Sequence, residues 1–204
     1  MMKLFYKAGA CSLSPHIVLR EADLPFELES VDLGSKKTGS GGDFLNLNPK
    51  GYVPALLLDD GQILSEGPAI VQYIADLVPA KRLAPPAGSM ARYRLMETLN
   101  FIATELHKGF GALFNPKAPE EWKAQVKELL GKRLAVAAAQ LGGRDYLFGQ
   151  DFSVADAYLF TVLSWAGYVK LDLSPWPVLK DYQARVAARP AVRAAMLAEG
   201  LIKN

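Results

Sequence analysis

The chain of 204 residues has one cysteine, Cys11, and only two histidines, His16 and His107. A lone cysteine excludes an internal disulfide and leaves a free thiol, which suits a reducing compartment. Cysteine and histidine this scarce, and at no metal-ligand spacing, give no zinc site, so no metal is expected. An excess of one charge is lacking as well: 23 Lys+Arg stand against 21 Asp+Glu. With no long run of one sign, neither a nucleic acid nor a membrane surface is expected as partner. No segment stays apolar for the length a bilayer needs, and the opening Met1-Met2-Lys3-Leu4-Phe5-Tyr6-Lys7 is charged before a secretory apolar core begins, so a cytoplasmic protein is expected. What the chain does have is hydrophobic material, half of its residues. That is enough for packed cores in two domains of roughly 80 to 120 residues each.

Residues 2–7 are short, apolar and aromatic and end at Ala8-Gly9-Ala10, a strand entering a loop. Ser14 before Pro15 predicts an N-cap with proline at the first helical position, and the helix runs towards Asp23-Leu24-Pro25. A second strand follows over 26–31, then a glycine-rich loop over 34–42. Residues 54–58 and 62–65 flank the turn Asp60-Gly61 and predict a β-hairpin. Gly67-Pro68 opens a helix that stops at Val78-Pro79. The predicted order is β-α-β, then β-β-α. Three prolines within 79–88 mark a linker, with domains over 1–80 and 89–204 and the linker proper at 81–88. Beyond it only helical periodicity appears, over 92–114, 120–141, 153–169, 177–189 and 191–198, which predicts an all-helical bundle. Ser153-Val154-Ala155-Asp156 has the spacing of a capping box, a structural feature whose loss costs about 0.5–2 kcal/mol.

Cys11 falls in the loop between the first strand and first helix, beside the amides that open that helix. Unpaired N–H groups and the helix dipole favour a thiolate there; a buried, inert cysteine is the competing reading. Cys11-Ser12-Leu13-Ser14 is spaced like a thioredoxin-type redox motif with Ser14 in place of the second cysteine. Redox chemistry then needs an external thiol, for which glutathione is the cytosolic candidate. The run Asn48-Pro49-Lys50-Gly51-Tyr52-Val53-Pro54 enters the third strand. X–Pro statistics favour a trans bond and a rigid turn, whereas a cis bond would present the Val53 backbone to an extended peptide. Glu66 beside the helix start at Gly67 suits either an ordinary acidic helix start or the recognition of an α-amino acid end, the carboxylate taking the ammonium and the amides the carboxyl group. In 92–114, Leu95, Leu99, Ile102, Leu106, Phe110 and Leu113 form an apolar stripe, and Asn100, Thr104, His107 and Lys108 share a polar face directed to solvent or to a cleft.

In order along the chain, Gly9-Ala10-Cys11-Ser12, Asn48-Pro49-Lys50-Gly51, Val53-Pro54, Ser65-Glu66-Gly67, Asn100, Thr104-Glu105-Leu106-His107-Lys108 and Ser153-Val154-Ala155-Asp156-Ala157-Tyr158 resemble the bacterial beta-class glutathione transferases. The resemblance implies an N-terminal thioredoxin-like domain, a C-terminal helical domain and a homodimer. It implies glutathione as co-substrate, with no tightly bound cofactor, and conjugation of its thiolate to small hydrophobic electrophiles. By resemblance Cys11 sits beside the glutathione sulfur and forms a mixed disulfide with it, Val53 before a cis Pro54 pairs with the tripeptide backbone, and Glu66 and Gly67 hold the γ-glutamyl end. Lys36, Asn100, Thr104, Glu105, His107 and Lys108 are further contacts. Many other classes of the family have a serine where Gly67 stands, and their activating hydroxyl has no clear counterpart. The sulfur-activating donor is left among Cys11, Ser12 and His107, with Cys11 first. Phe110, Leu113, Phe114, Trp165 and Tyr168 are candidates for the wall against the second substrate, core packing being the competing role. Glutathione-dependent disulfide reduction, reductive dehalogenation and a weakly active binding or regulatory protein remain as alternatives.

Overall fold

Met2–Tyr6, the apolar run at the N-terminus, forms β1 at the centre of a five-stranded sheet in the computed structural model, which describes residues 1–203. α1 (Leu13–Glu21) is the crossover to β2 (Phe26–Asp32), which lies parallel to β1 with Met2 opposite Phe26. The glycine-rich loop contains a strand the periodicity did not predict, β3 (Lys37–Thr38), antiparallel to the end of β2. β4 (Ala55–Leu57) pairs antiparallel with β1, and β5 (Ile63–Ser65) pairs antiparallel with β4, forming the expected hairpin. α2 (Gly67–Leu77) closes the thioredoxin-like set.

α1 begins two residues earlier than predicted. Ser12 is the N-cap, so Pro15 occupies the third helical position, where its missing N–H is again one the helix could not have paired. Ser14, the expected cap, is buried with no partner for its hydroxyl among the described residues. α1 is buried continuously from Leu13 to Leu19, and a helix buried all round needs cover on more than one side. α2 and the last helix, α8 (Pro190–Ala198), provide it. The first compact unit is therefore residues 1–84 together with the chain from Arg189 onward, and the second is Pro85–Ala188. The expected assignment of all of 89–204 to one helical domain changes in that respect. The returning segment is fastened by Arg189, whose Nε and Nη2 donate to the Glu21 carboxylate at 2.7 and 2.9 Å, and by Glu199. Glu199 lies 2.8 Å from His16 Nδ1 and accepts the Gly9 N–H at 2.9 Å.

The second unit is helical. α3 (Met90–Phe101), capped by Ser89, runs into a π-helical segment, Ile102–His107, and on into α4 (Lys108–Leu113). α5 (Glu120–Leu141), α6 (Val154–Leu163) and α7 (Pro177–Ala187) complete it. α6 stops before the predicted 169, giving way to a 3-10 turn over Ser164–Ala166 and a left-handed Lys170, φ 54°. Its start is the predicted capping box. Asp156 Oδ2 accepts the Ser153 N–H at 2.9 Å and the Ser153 hydroxyl at 2.7 Å, and Oδ1 accepts the Leu147 N–H at 2.9 Å. No described helix is long and apolar enough to cross a membrane.

Candidate functional site

Pairing of Phe5 with Ala55, and of Ala55 with Ser65, puts the end of β1, the start of β4 and the end of β5 at one edge of the sheet. The loops leaving that edge carry Cys11, Val53-Pro54 and Glu66-Gly67. The Val53–Pro54 bond is cis, the form the resemblance implied and the X–Pro statistics did not. Cys11 Sγ donates to the Val53 carbonyl at 3.3 Å. A β-carbon added at Gly67 would stand 3.9 Å from Pro54 Cγ, so the first turn of α2 lies against the same proline. Glu66 is held at φ +74°, unusual for a residue with a side chain. Its carboxylate receives Lys50 Nζ at 2.8 Å, and the same ammonium donates to Ser65 Oγ at 3.0 Å. Lys50 was seen in the sequence only as part of a turn; a lysine fifteen and sixteen residues before its partners carries no local signal. Lys36, at φ +58°, donates from Nζ to the Gly51 carbonyl at 2.6 Å.

Of the two readings of Cys11, burial favours the neutral thiol. Burial pushes the thiol up to about 11, the amides of Cys11 and Ser12 act in the opposite direction without offsetting it, and the Glu66 charge adds a smaller upward push. In the ligand-free protein Cys11 is a neutral thiol at pH 7 and a hydrogen-bond donor. Ser12, a candidate donor to the glutathione sulfur, is fully buried. Its hydroxyl accepts the Lys7 N–H at 3.1 Å and donates to the Lys7 carbonyl at 3.2 Å, so it closes the loop on which Cys11 sits.

In the second unit the polar face does not emerge as spaced. Asn100, Thr104 and Lys108 are exposed, with Thr104 Oγ1 donating to the Asn100 carbonyl at 3.0 Å. His107 is turned inward instead. Its Nδ1 lies 2.6 Å from the Tyr158 hydroxyl, and its ring meets Trp165 edge-on at 4.8 Å. The wider π turn shifts His107 off the line that ideal α spacing draws through residues 100, 104 and 108. Glu105 is held in an ion pair with Arg133, 2.6 Å from its Nε. Among the apolar candidates, Phe110 is fully buried and so packs the core, which removes it as a wall for substrate. Trp165 is 5% exposed and touches Phe110 and Phe114 edge-on, Leu113 is half-buried, and Phe114 and Tyr168 are 47% and 68% exposed. Tyr158 was missed as a neighbour of His107 because it follows the capping box and fits the buried face of α6.

Known proteins resemble this chain over nearly its whole length. The family model for the glutathione S-transferase N-terminal domain matches residues 8–77, and that for the C-terminal domain matches 101–190. Glutathione S-transferase GstA of Escherichia coli O157:H7 is 53% identical over 200 residues, covering 98% of this chain and 100% of that one. A sphingomonad glutathione S-transferase solved in complex with glutathione is 50% identical, with a TM-score of 0.94 over 98% of this chain and 100% of the other. The bacterial beta-class glutathione S-transferase of Sphingomonas chungbukensis is 46% identical, with a TM-score of 0.94 over the same shares. With the cis Val53–Pro54 bond, the Cys11 loop and the α2 start at one sheet edge, and full-length identity of this size, the chain belongs to the glutathione S-transferases, in their bacterial beta class.

Proposed function

We propose that this glutathione transferase binds the tripeptide along the sheet edge formed by the ends of β1 and β5 and the start of β4, and joins its sulfur to a small hydrophobic electrophile. The observation that carries the reading is the gathering of Cys11, the Val53 backbone before a cis Pro54, and Glu66-Gly67 at that edge. An extended peptide pairs with an open backbone segment by strand addition. The positive φ of Glu66 is a cost, on the order of 1–3 kcal/mol, of the kind kept where a backbone is fixed for binding. Glu66, Lys50 and the amides opening α2 offer a carboxylate, an ammonium and an N-terminal dipole, which suit the two charges of a γ-glutamyl α-amino acid end. On the family resemblance, Lys36, Asn100, Thr104, Glu105, His107 and Lys108 are further contacts, Glu105 being also paired with Arg133.

A neutral Cys11 supports conjugation over disulfide exchange as the main activity. A thiol pushed up to about 11 is a weak nucleophile at pH 7 but a competent hydrogen-bond donor to an adjacent glutathione thiolate. We further infer a homodimer working in the cytoplasm, on family membership and the free thiol. Intact mass after incubation with oxidised glutathione, and conjugation of an aryl halide, test the reading in the wild type and in Cys11→Ala. The attack of Cys11 on the disulfide would release one glutathione and retain the other. Expected are a slow, cysteine-dependent gain of one glutathionyl group and conjugation that survives in the variant at reduced rate. No conjugation and no adduct in the wild type would sink the enzyme reading.

A further inference from the structure

Each of the two histidines is gripped through Nδ1, but by groups of opposite hydrogen-bonding character. His16, buried in the first unit, accepts at Nε2 from Arg20 Nε at 2.9 Å. A guanidinium only donates, so the His16 proton is on Nδ1, directed at Glu199 Oε1, 2.8 Å away. His107 meets a phenol. Tyr158 is 3% exposed, its oxygen is 2.6 Å from His107 Nδ1, and the two rings meet edge to face at 5.9 Å and 82°. Between a phenol and a neutral imidazole the better donor is the phenol O–H and the better acceptor the imidazole nitrogen. Trp165, 4.8 Å from the His107 ring on an edge-on approach, limits the ring's freedom to turn over and exchange its two nitrogens.

We propose that Tyr158 is a positioning residue for the transfer reaction: by donating to His107 Nδ1 it holds the imidazole neutral with its proton on Nε2, so that the ring edge away from Tyr158 is a fixed N–H donor. The role rests on placing His107 among the glutathione contacts. A neutral N–H donor suits a sulfur anion that must be stabilised without being protonated. The two histidines of the chain are then opposite tautomers, His16 protonated on Nδ1 and His107 on Nε2.

The tautomers can be read directly from two-bond proton–nitrogen correlations of the imidazole rings in nitrogen-15-labelled protein, recorded at about pH 8, where an ordinary histidine is neutral. His107→Gln assigns the spectrum, because only His16 then remains. The expected result is one ring of each tautomer in the wild type, and a His107 that becomes a mixture in Tyr158→Phe while His16 is unchanged. Alongside it, kcat/KM for glutathione in Tyr158→Phe should fall by about tenfold, the size of one neutral hydrogen bond. In the His107→Gln background, whose amide needs no tautomer, adding Tyr158→Phe should cost nothing further. A wild-type His107 protonated on Nδ1, a tautomer unaffected by Tyr158→Phe, or an equal kinetic loss in the His107→Gln background would each overturn the proposal. A His107→Ala variant with wild-type kinetics would instead overturn the placing of His107 in the glutathione site, whatever tautomers are found.

Discussion

Two opposing effects meet at the Cys11 sulfur: the amides of the turn before α1 favour an anion, and the desolvation of a half-buried side chain disfavours it. Desolvation wins, because α1 opens only at Leu13 and the amides of Cys11 and Ser12 are all that the sulfur receives from the turn. In the ligand-free protein, alkylation of Cys11 by iodoacetamide should therefore quicken about tenfold per pH unit from pH 7 upward, with no plateau until the pH nears about 11. A plateau near pH 7 would restore the thiolate. The same shift sets a sign for stability. The unfolded thiol, with its ordinary value of 9.0, loses its proton before the folded one does, so stability falls as pH rises from 9.0 to about 11. Chemical denaturation across that range should show the fall in the wild type and its absence in Cys11→Ala. The identity of Cys11 and its place in a loop were legible in the sequence. Its ionisation was not, since burial is a property of everything packed around it.

The run from α3 through the π segment to α4 shows what a helix pattern conceals. The buried positions Leu95, Leu99, Ile102, Leu106 and Phe110 are spaced by four, three, four and four residues. Such steps all fall within an ordinary α-helical stripe, so the spacing does not announce the wider π turn over Ile102–His107. What the pattern did not carry was the rotation of His107 towards Tyr158 and Trp165, which depends on α6 and the turn after it being in place. At the start of α4, Gly109 allows a close approach of α5: a β-carbon there would stand 2.6 Å from Leu130 Cδ2 and 3.0 Å from its Cγ, and Leu130 is buried. Alanine is the better helix former by about 1 kcal/mol, yet overpacking of this kind costs about 1–3 kcal/mol. Gly109→Ala should thus destabilise the protein, by about 1 kcal/mol net, measured by urea denaturation. A gain in stability would mean that Leu130 has room to move.

At the level of the whole chain, the last helix belongs with the first strands. Its sequence gives an ordinary short amphipathic helix, continuous in pattern with α7, and nothing local says that it returns to cover α1. The fastening uses four side chains and one amide: Arg189 on Glu21, and Glu199 shared between His16 and the Gly9 N–H. Glu199→Ala would leave the buried His16 N–H without its acceptor and remove the carboxylate that the Gly9 N–H meets, and should lower stability by about 2–4 kcal/mol. Glu199→Gln, which keeps one acceptor, should lose less; equal losses in the two variants would show that packing, and not the hydrogen bonds, holds the segment. The sequence by itself determined the β-α-β and β-β-α order, the hairpin turn, the capping box and the family, because periodicity, turn chemistry and ordered motifs act between residues close along the chain. Only the tertiary structure decided the neutral thiol of Cys11, the inward turn of His107, the Lys50–Glu66 pair and the return of α8. Each of these depends on desolvation or on a contact between residues distant in sequence, and neither is set until the chain has folded around them.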